Sequence, residues 1–96
     1  MAVSFYAEFA DMSTEQAETV LRELGGKAPE GLIFHAEGPL EAGGTWVMDG
    51  WESPEALQTF FQQQLGPIMQ KLGVTALQPK ILPMRIMLDQ NEVRRL

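Results

Sequence analysis

His35 is the single histidine in a chain of 96 residues, and with an ordinary pKa of about 6.5 it is the side chain suited to exchange protons at cellular pH. It sits in the apolar run Leu32 to Ala36 and, by strand alternation, points the same way as Asp49 in the next apolar segment. Across an antiparallel hairpin turned near Leu40 to Gly43, the two fall opposite or diagonal to each other, so Asp49 can hold the imidazole in one tautomer. His35 and Asp49 are the candidate catalytic pair. The same parity adds Tyr6 and Arg85, a phenol and a planar guanidinium able to stabilise an enolate or carboxylate. Trp51, Ile33, Val47 and Met87 supply the apolar wall of a substrate-binding surface. A plainer reading stands beside this one. His35 is then a paired polar residue in a half-wet sheet, Tyr6 and Arg85 bond within an interface, and Trp51 and Met87 are packing residues. Glu8 and Glu37, near strand ends, read as solvated.

The residues that are missing narrow the chemistry. One histidine and no cysteine fall short of the three or four convergent ligands of a metal site, and remove disulfides, iron–sulfur clusters and thiol nucleophiles. The glycine pairs Gly25-Gly26 and Gly43-Gly44 are turn residues and belong to no phosphate-binding pattern, and no nucleophile-elbow, zinc-protease or P-loop motif occurs. The expectation is activity without metal, flavin or haem: no cofactor. Thirteen acidic against seven basic residues give a net charge of −6, a field that repels phosphate backbones, so nucleic acid is an unsuitable partner. No stretch reaches the roughly 18 apolar residues of a membrane helix, and Glu8 and Asp11 interrupt the first apolar run, which gives no targeting pattern. A cytoplasmic protein of one domain, residues 1–96, is expected. A domain this short buries only about 60 to 70% of its unfolded surface, so a partner subunit would help it.

The elements that must position these side chains follow from periodicity. Val3, Phe5, Ala7 and Phe9 alternate with Ser4, Tyr6 and Glu8, the period of a strand covered on one face. Ser13 and Gln16 form a capping box, and Ala17, Val20, Leu21 and Leu24 recur at helical spacing before Gly25-Gly26 ends the helix. Leu32 to Ala36 and Thr45 to Glu52 read as a hairpin. Ser53 and Pro54 open a longer helix whose stripe is Leu57, Phe60, Phe61, Leu65, Ile68 and Leu72. Gly66-Pro67 predicts a kink or restart inside it. Pro79 and Pro83 frame an irregular crossover, Met84 to Leu88 forms the last strand, and the tail from Gln90 to Leu96 is mostly polar.

The order strand, helix, strand, strand, helix, strand is the α+β, ferredoxin-like βαββαβ unit: a four-stranded antiparallel sheet with two helices on one face. Parity assigns Val3, Phe5, Ala7, Leu32, Phe34, Ala36, Trp46, Met48, Gly50, Met84, Ile86 and Leu88 to the helix-covered core. The other face, with Tyr6, Ile33, His35, Val47, Asp49, Trp51, Arg85 and Met87, is too apolar for open water and too polar for a dry core. A second copy of the chain covering it, as a homodimer around a closed cavity, is the economical solution.

The runs Gly31-Leu32-Ile33-Phe34-His35-Ala36-Glu37-Gly38-Pro39 and Val47-Met48-Asp49-Gly50-Trp51-Glu52-Ser53, followed by a helix with Leu65-Gly66-Pro67, resemble the dimeric α/β-barrel superfamily, and within it relatives of the antibiotic biosynthesis monooxygenase group. The resemblance spans about residues 3 to 88 and implies a dimeric α/β barrel with a pocket between sheet and helices or between two sheets. In characterised members it implies cofactor-independent oxygenation of aromatic polyketides. The haem-degrading branch fits poorly, because no predicted helix contains histidine or tryptophan. The expected function is a homodimeric pocket protein that binds or acts on a small hydrophobic, aromatic or polyketide-like molecule, with cofactor-independent monooxygenation as its reaction. The alternatives are a non-catalytic ligand-binding or structural dimer, and a cyclase or isomerase of the same superfamily.

Overall fold

The structure, a computed structural model, describes residues 1–89 and 92–96, with Leu77 described by its backbone; Gln90 and Asn91 of the polar tail lie outside the described residues. Its elements are β1 (Val3–Phe9), α1 (Thr14–Glu23), β2 (Leu32–Pro39), β3 (Thr45–Trp51), α2 (Pro54–Phe60), a π-helical turn (Phe61–Leu65), α3 (Gly66–Leu72), β4 (Leu77–Pro83), β5 (Ile86–Leu88) and β6 (Val93–Arg95). The first four strands form one antiparallel sheet in the order β2-β3-β1-β4, the ferredoxin-like arrangement, with the helices on one face. β5 and β6 form a separate antiparallel pair.

Local chemistry starts and stops the helices as the sequence demands. Ser13 and Gln16 cap α1 reciprocally, Gln16 N–H donating to Ser13 Oγ at 3.1 Å and Ser13 N–H to Gln16 Oε1 at 3.0 Å, which satisfies two amides that a helix start leaves open. Ser53 accepts from Ala56 N–H at 3.1 Å, with Pro54 in the first turn of α2. The expected disturbance at Gly66-Pro67 takes the form of a π turn. Phe60, Phe61, Leu65 and Gly66 all keep right-handed helical dihedrals, so α2 and α3 run on through the turn as one rod. Gly66 N–H donates to the Phe61 carbonyl five residues back, a widened turn next to a proline that has no N–H of its own to give. Glycine is required for space here, since a Cβ at Gly66 would stand 2.6 Å from that carbonyl oxygen.

The fourth strand of the sheet is not Met84 to Leu88. It is β4, which pairs with β1 in the register Val3↔Pro83, Ser4↔Leu82, Phe5↔Ile81 and Tyr6↔Lys80. Two prolines are tolerated because β4 is an edge strand, and the pairing shifts just where Gln78 (φ 46°) and Pro79 lie. Met84, Ile86 and Leu88 consequently leave the expected core: Ile86 is half-buried opposite Arg95, and Leu88 is 71% exposed.

The faces of the hairpin are also the reverse of the parity assignment. Phe5 pairs with Asp49, Ala7 with Val47 and Val3 with Trp51, and directly paired residues share a face. Thr45, Val47, Asp49 and Trp51 therefore lie under the helices with β1, and Trp46, Met48 and Gly50 lie on the open face with Ser4 and Tyr6. In β2 the pairing shifts between Leu32, opposite Trp51, and Phe34, opposite Gly50. The extra residue Ile33 puts both Leu32 and His35 on the helix face and turns Phe34 and Ala36 outward. The core comprises Val3, Phe5, Ala7, Phe9, Met12, Ala17, Val20, Trp51, Leu57, Phe60, Met69 and Val74.

Gly66→Ala tests the π turn. Alanine favours a regular helix by about 1 kcal/mol over glycine, yet here the added methyl meets the Phe61 carbonyl, so the variant is expected to lose about 1–3 kcal/mol as an overpacked site does. Urea denaturation checks the sign; a gain in stability would show that the turn is an ordinary α-helical one.

Candidate functional site

Asp49 is 5% exposed, at the centre of the helix-covered face. A buried carboxylate requires partners for both oxygens. It has them: Oδ1 accepts from His35 Nδ1 at 2.5 Å and Oδ2 accepts from Trp51 Nε1 at 3.2 Å. His35 and Asp49 are direct cross-strand partners, while Trp51 follows Asp49 by two residues on the same face. The other imidazole nitrogen, Nε2, donates to Glu37 Oε1 at 2.8 Å. Two carboxylate acceptors on one ring require both nitrogens to carry hydrogen, so His35 is an imidazolium. The hydrogen bond that His35 donates to Asp49 is the main cause that raises the imidazole's pKa to about 9; burial opposes the shift and Glu37 adds to it. An imidazole charged at neutral pH is a proton donor and an anion partner. It is not the free base that an unshifted pKa implies.

Beside this chain of bonds lies a cavity of about 440 Å³ between the sheet, α1, the loop after α1 and α3. Its walls are apolar: Phe5, Phe9, Val20, Leu24, Phe60 and Met69 among others, with His35, Asp49 and Glu37 on one side and Lys27 on the loop. Trp51, 1% exposed, closes the floor and packs on Phe60 with ring centroids 5.2 Å apart. Thr45 Oγ1 donates to the Met12 carbonyl at 2.8 Å, tying the turn that carries Met12 to β3.

Of the residues singled out from the sequence, His35, Asp49, Trp51 and Val47 line this cavity. Tyr6 does not. It is on the open face, where its hydroxyl donates to Glu8 at 2.7 Å, a bond that raises the phenol's pKa. Arg85 is exposed between β4 and β5, and its carbonyl accepts from Leu96 N–H. Met87 is half-buried opposite Arg94 in the β5–β6 pair, and Ile33 occupies the irregularity in β2. Strand parity joined Ile33 to His35 by assuming unbroken alternation, Arg85 and Met87 by assuming a strand at Met84 to Leu88, and Tyr6 by assuming a β1–β3 register that the pairing of Phe5 with Asp49 reverses. Glu37, read as solvated, is the residue that was missed. It lies two residues from His35 on the same strand, and that spacing by itself puts both on one face. Among the described residues no group of three His, Cys, Asp or Glu could hold a metal ion; the two carboxylates bind opposite nitrogens of the ring and do not converge.

Comparison with solved structures adds the same fold from elsewhere. The cofactor-independent oxygenase SnoaB of Streptomyces nogalater, in a point-mutant form, superposes with a TM-score of 0.65 at 16% identity, over 95% of this chain and 98% of that one. An antibiotic biosynthesis monooxygenase candidate from Chloroflexus aurantiacus gives 0.62 at 13% identity, over 88% and 94%. Another from Deinococcus radiodurans gives 0.57 at 17%, over 93% and 97%. The likeness establishes the fold. No protein-family model matches the sequence, and no curated protein matches it.

The ion pair has a defined pH signature. A pKa raised from about 6.5 unfolded to about 9 folded contributes stability that is complete below the unfolded value and is lost as pH rises through the folded one. The His35 ring signals are expected to titrate near pH 9 by NMR, and the melting temperature to fall between neutral pH and that value more steeply than in His35→Gln. Asp49→Asn should return the titration toward the ordinary range. A wild-type midpoint near the ordinary value would remove the imidazolium. Asp49→Ala, which strands the Trp51 and His35 donors, is expected to cost about 1–3 kcal/mol in urea denaturation.

Proposed function

We propose that this protein binds a compact, largely apolar aromatic or polyketide-like molecule in the cavity between sheet and helices, and that its reaction is monooxygenation without a cofactor. The observation that carries the binding part is the cavity: about 440 Å³ within largely apolar walls, with His35, Asp49 and Glu37 gathered on one side and Lys27 on the loop. That size suits a small-molecule site. The structural neighbours named as oxygenases support the reaction class. In such chemistry the substrate, taken up as the stabilised anion after losing its proton to water, is the electron source for dioxygen, and conversion of an activated methylene to a carbonyl with release of water balances without an external reductant. The His35 imidazolium would stabilise the oxyanion that forms at the edge of the apolar walls. One observation favours the second reading, a non-catalytic binding protein: both ring nitrogens are already hydrogen-bonded to carboxylates, so the imidazole has no lone pair free to take a proton. The reading of a cytoplasmic protein rests on the sequence alone; no helix is long and apolar enough to cross a membrane among the described residues.

We further propose that it acts as a homodimer through the open sheet face. Met48 there is 42% exposed and Leu82 61% exposed, beside the half-buried Tyr6, Phe34, Trp46 and Met84. The charge distribution points to a second copy as the cover. From Leu77 onward four of the seven basic residues, Lys80, Arg85, Arg94 and Arg95, stand against two acids; residues 1–76 carry the other eleven of the thirteen acids. The carboxyl-terminal end of one copy complements the body of another.

Oxygen consumption with a tricyclic phenol bearing an activated methylene tests the reaction. Turnover by the metal-free protein is expected, with at least about a tenfold loss in His35→Gln if its hydrogen bond stabilises the anion. Binding of the substrate with no oxygen uptake selects the second reading. Light scattering is expected to give twice 10.7 kDa, and Met48→Glu to shift the population to monomer; a monomeric wild type would refute the dimer.

A further inference from the structure

Resting on the pocket as the ligand site, we propose that Glu37 is a displaceable internal anion: it holds the position on His35 Nε2 that the ionised head of the ligand takes, so the site selects apolar molecules bearing a single anionic group. The two carboxylates on the imidazole are not equivalent. Asp49 is buried and has both oxygens engaged, by His35 and Trp51. Glu37 has a side chain 26% exposed and is bound through Oε1 to His35. One is part of the wall and the other is a gate.

The gate has somewhere to go. A second, more open recess of about 340 Å³ borders the pair, lined by Thr14, Glu18, Pro39 and Thr45 as well as by His35 and Glu37. His35 and Glu37, with Ala17 and Leu21, line both this opening and the main cavity. A carboxylate swung outward there reaches water, and water screens it from Glu18. Four charged groups line the main cavity among the described residues: His35, Lys27, Asp49 and Glu37. Replacing Glu37 by a ligand oxyanion leaves the charge at the imidazolium balanced as before, so the exchange conserves the electrostatics of a half-buried site. A neutral ligand offers no such replacement and must leave Glu37 in place or strip the imidazolium of its partner.

Isothermal titration calorimetry with 2-naphthoate and its neutral analogue 2-naphthylmethanol, on wild type, Glu37→Gln, Glu37→Ala and His35→Gln, tests this. Removing the competing carboxylate is expected to tighten naphthoate binding about tenfold or more, the scale of a charge-assisted hydrogen bond, in both Glu37 variants. Naphthylmethanol affinity should stay within about a factor of two, and His35→Gln should bind naphthoate no better than the alcohol. Naphthoate affinity unchanged or weakened in the Glu37 variants, with naphthylmethanol still bound, overturns the gate and leaves the pocket standing. An equal gain for both probes also overturns it, since that reports a loosened cavity. Failure of both probes to bind any of the four proteins overturns the pocket and the gate together.

Discussion

Burial of the Asp49 carboxylate is the constraint around which the rest of the site is arranged. A charge at that depth is tolerated only with opposite charge and hydrogen bonds in place, and each partner comes from a different structural decision. Trp51 is available because it shares the strand face two residues on. His35 is available because the β2–β3 register sets it directly across from Asp49. That register in turn needs the irregularity at Ile33, without which Leu32 and His35 could not both face the helices. Three side chains thereby tie the edge strand β2 to the centre of the sheet through polar bonds where the core is otherwise apolar.

The same interaction shapes the cavity. Trp51 is held by its indole N–H at Asp49 and by its ring against Phe60, so α2 is anchored over β3. The π turn that follows carries the helical rod past Pro67 without breaking it, and Leu65 and Met69 on that rod complete the far wall. A straight α-helix through Gly66-Pro67 would present a different set of side chains to the pocket, because one extra residue in a turn rotates everything after it by about 100°. The open face is organised by another device. Gly50 and Gly38 lie beneath their cross-strand partners Phe34 and Trp46, aromatic rings covering backbone that lacks side chains. That leaves an apolar surface on the side away from the cavity.

Much of the architecture was legible in the residues. The alternation of β1, the Ser13–Gln16 capping box, the Ser53-Pro54 helix start, the disturbance at Gly66-Pro67 and the strand-helix order were all local signals, and each depends on neighbours a few positions away. The opposition of His35 and Asp49 was legible for the same reason: a short hairpin leaves few registers. The faces were not. Trp, Val, Met and Phe occur on both sides of β2 and β3, so hydrophobic parity carried no preference; the β1–β3 register, which sets Phe5 opposite Asp49, places Tyr6 and His35 on opposite sides of the sheet.

The sequence by itself determined the ferredoxin-like order of elements, the absence of thiol chemistry and the pairing of the lone histidine with an aspartate. Tertiary structure decided which side of the sheet holds that pair, that Glu37 completes it, and that the fourth strand is Leu77–Pro83 despite two prolines. It also decided that His35 is a cation. Those outcomes depend on which faces are buried and on how many acceptors surround one ring, and both are set by packing between segments far apart in the chain, where spacing along the sequence carries no information.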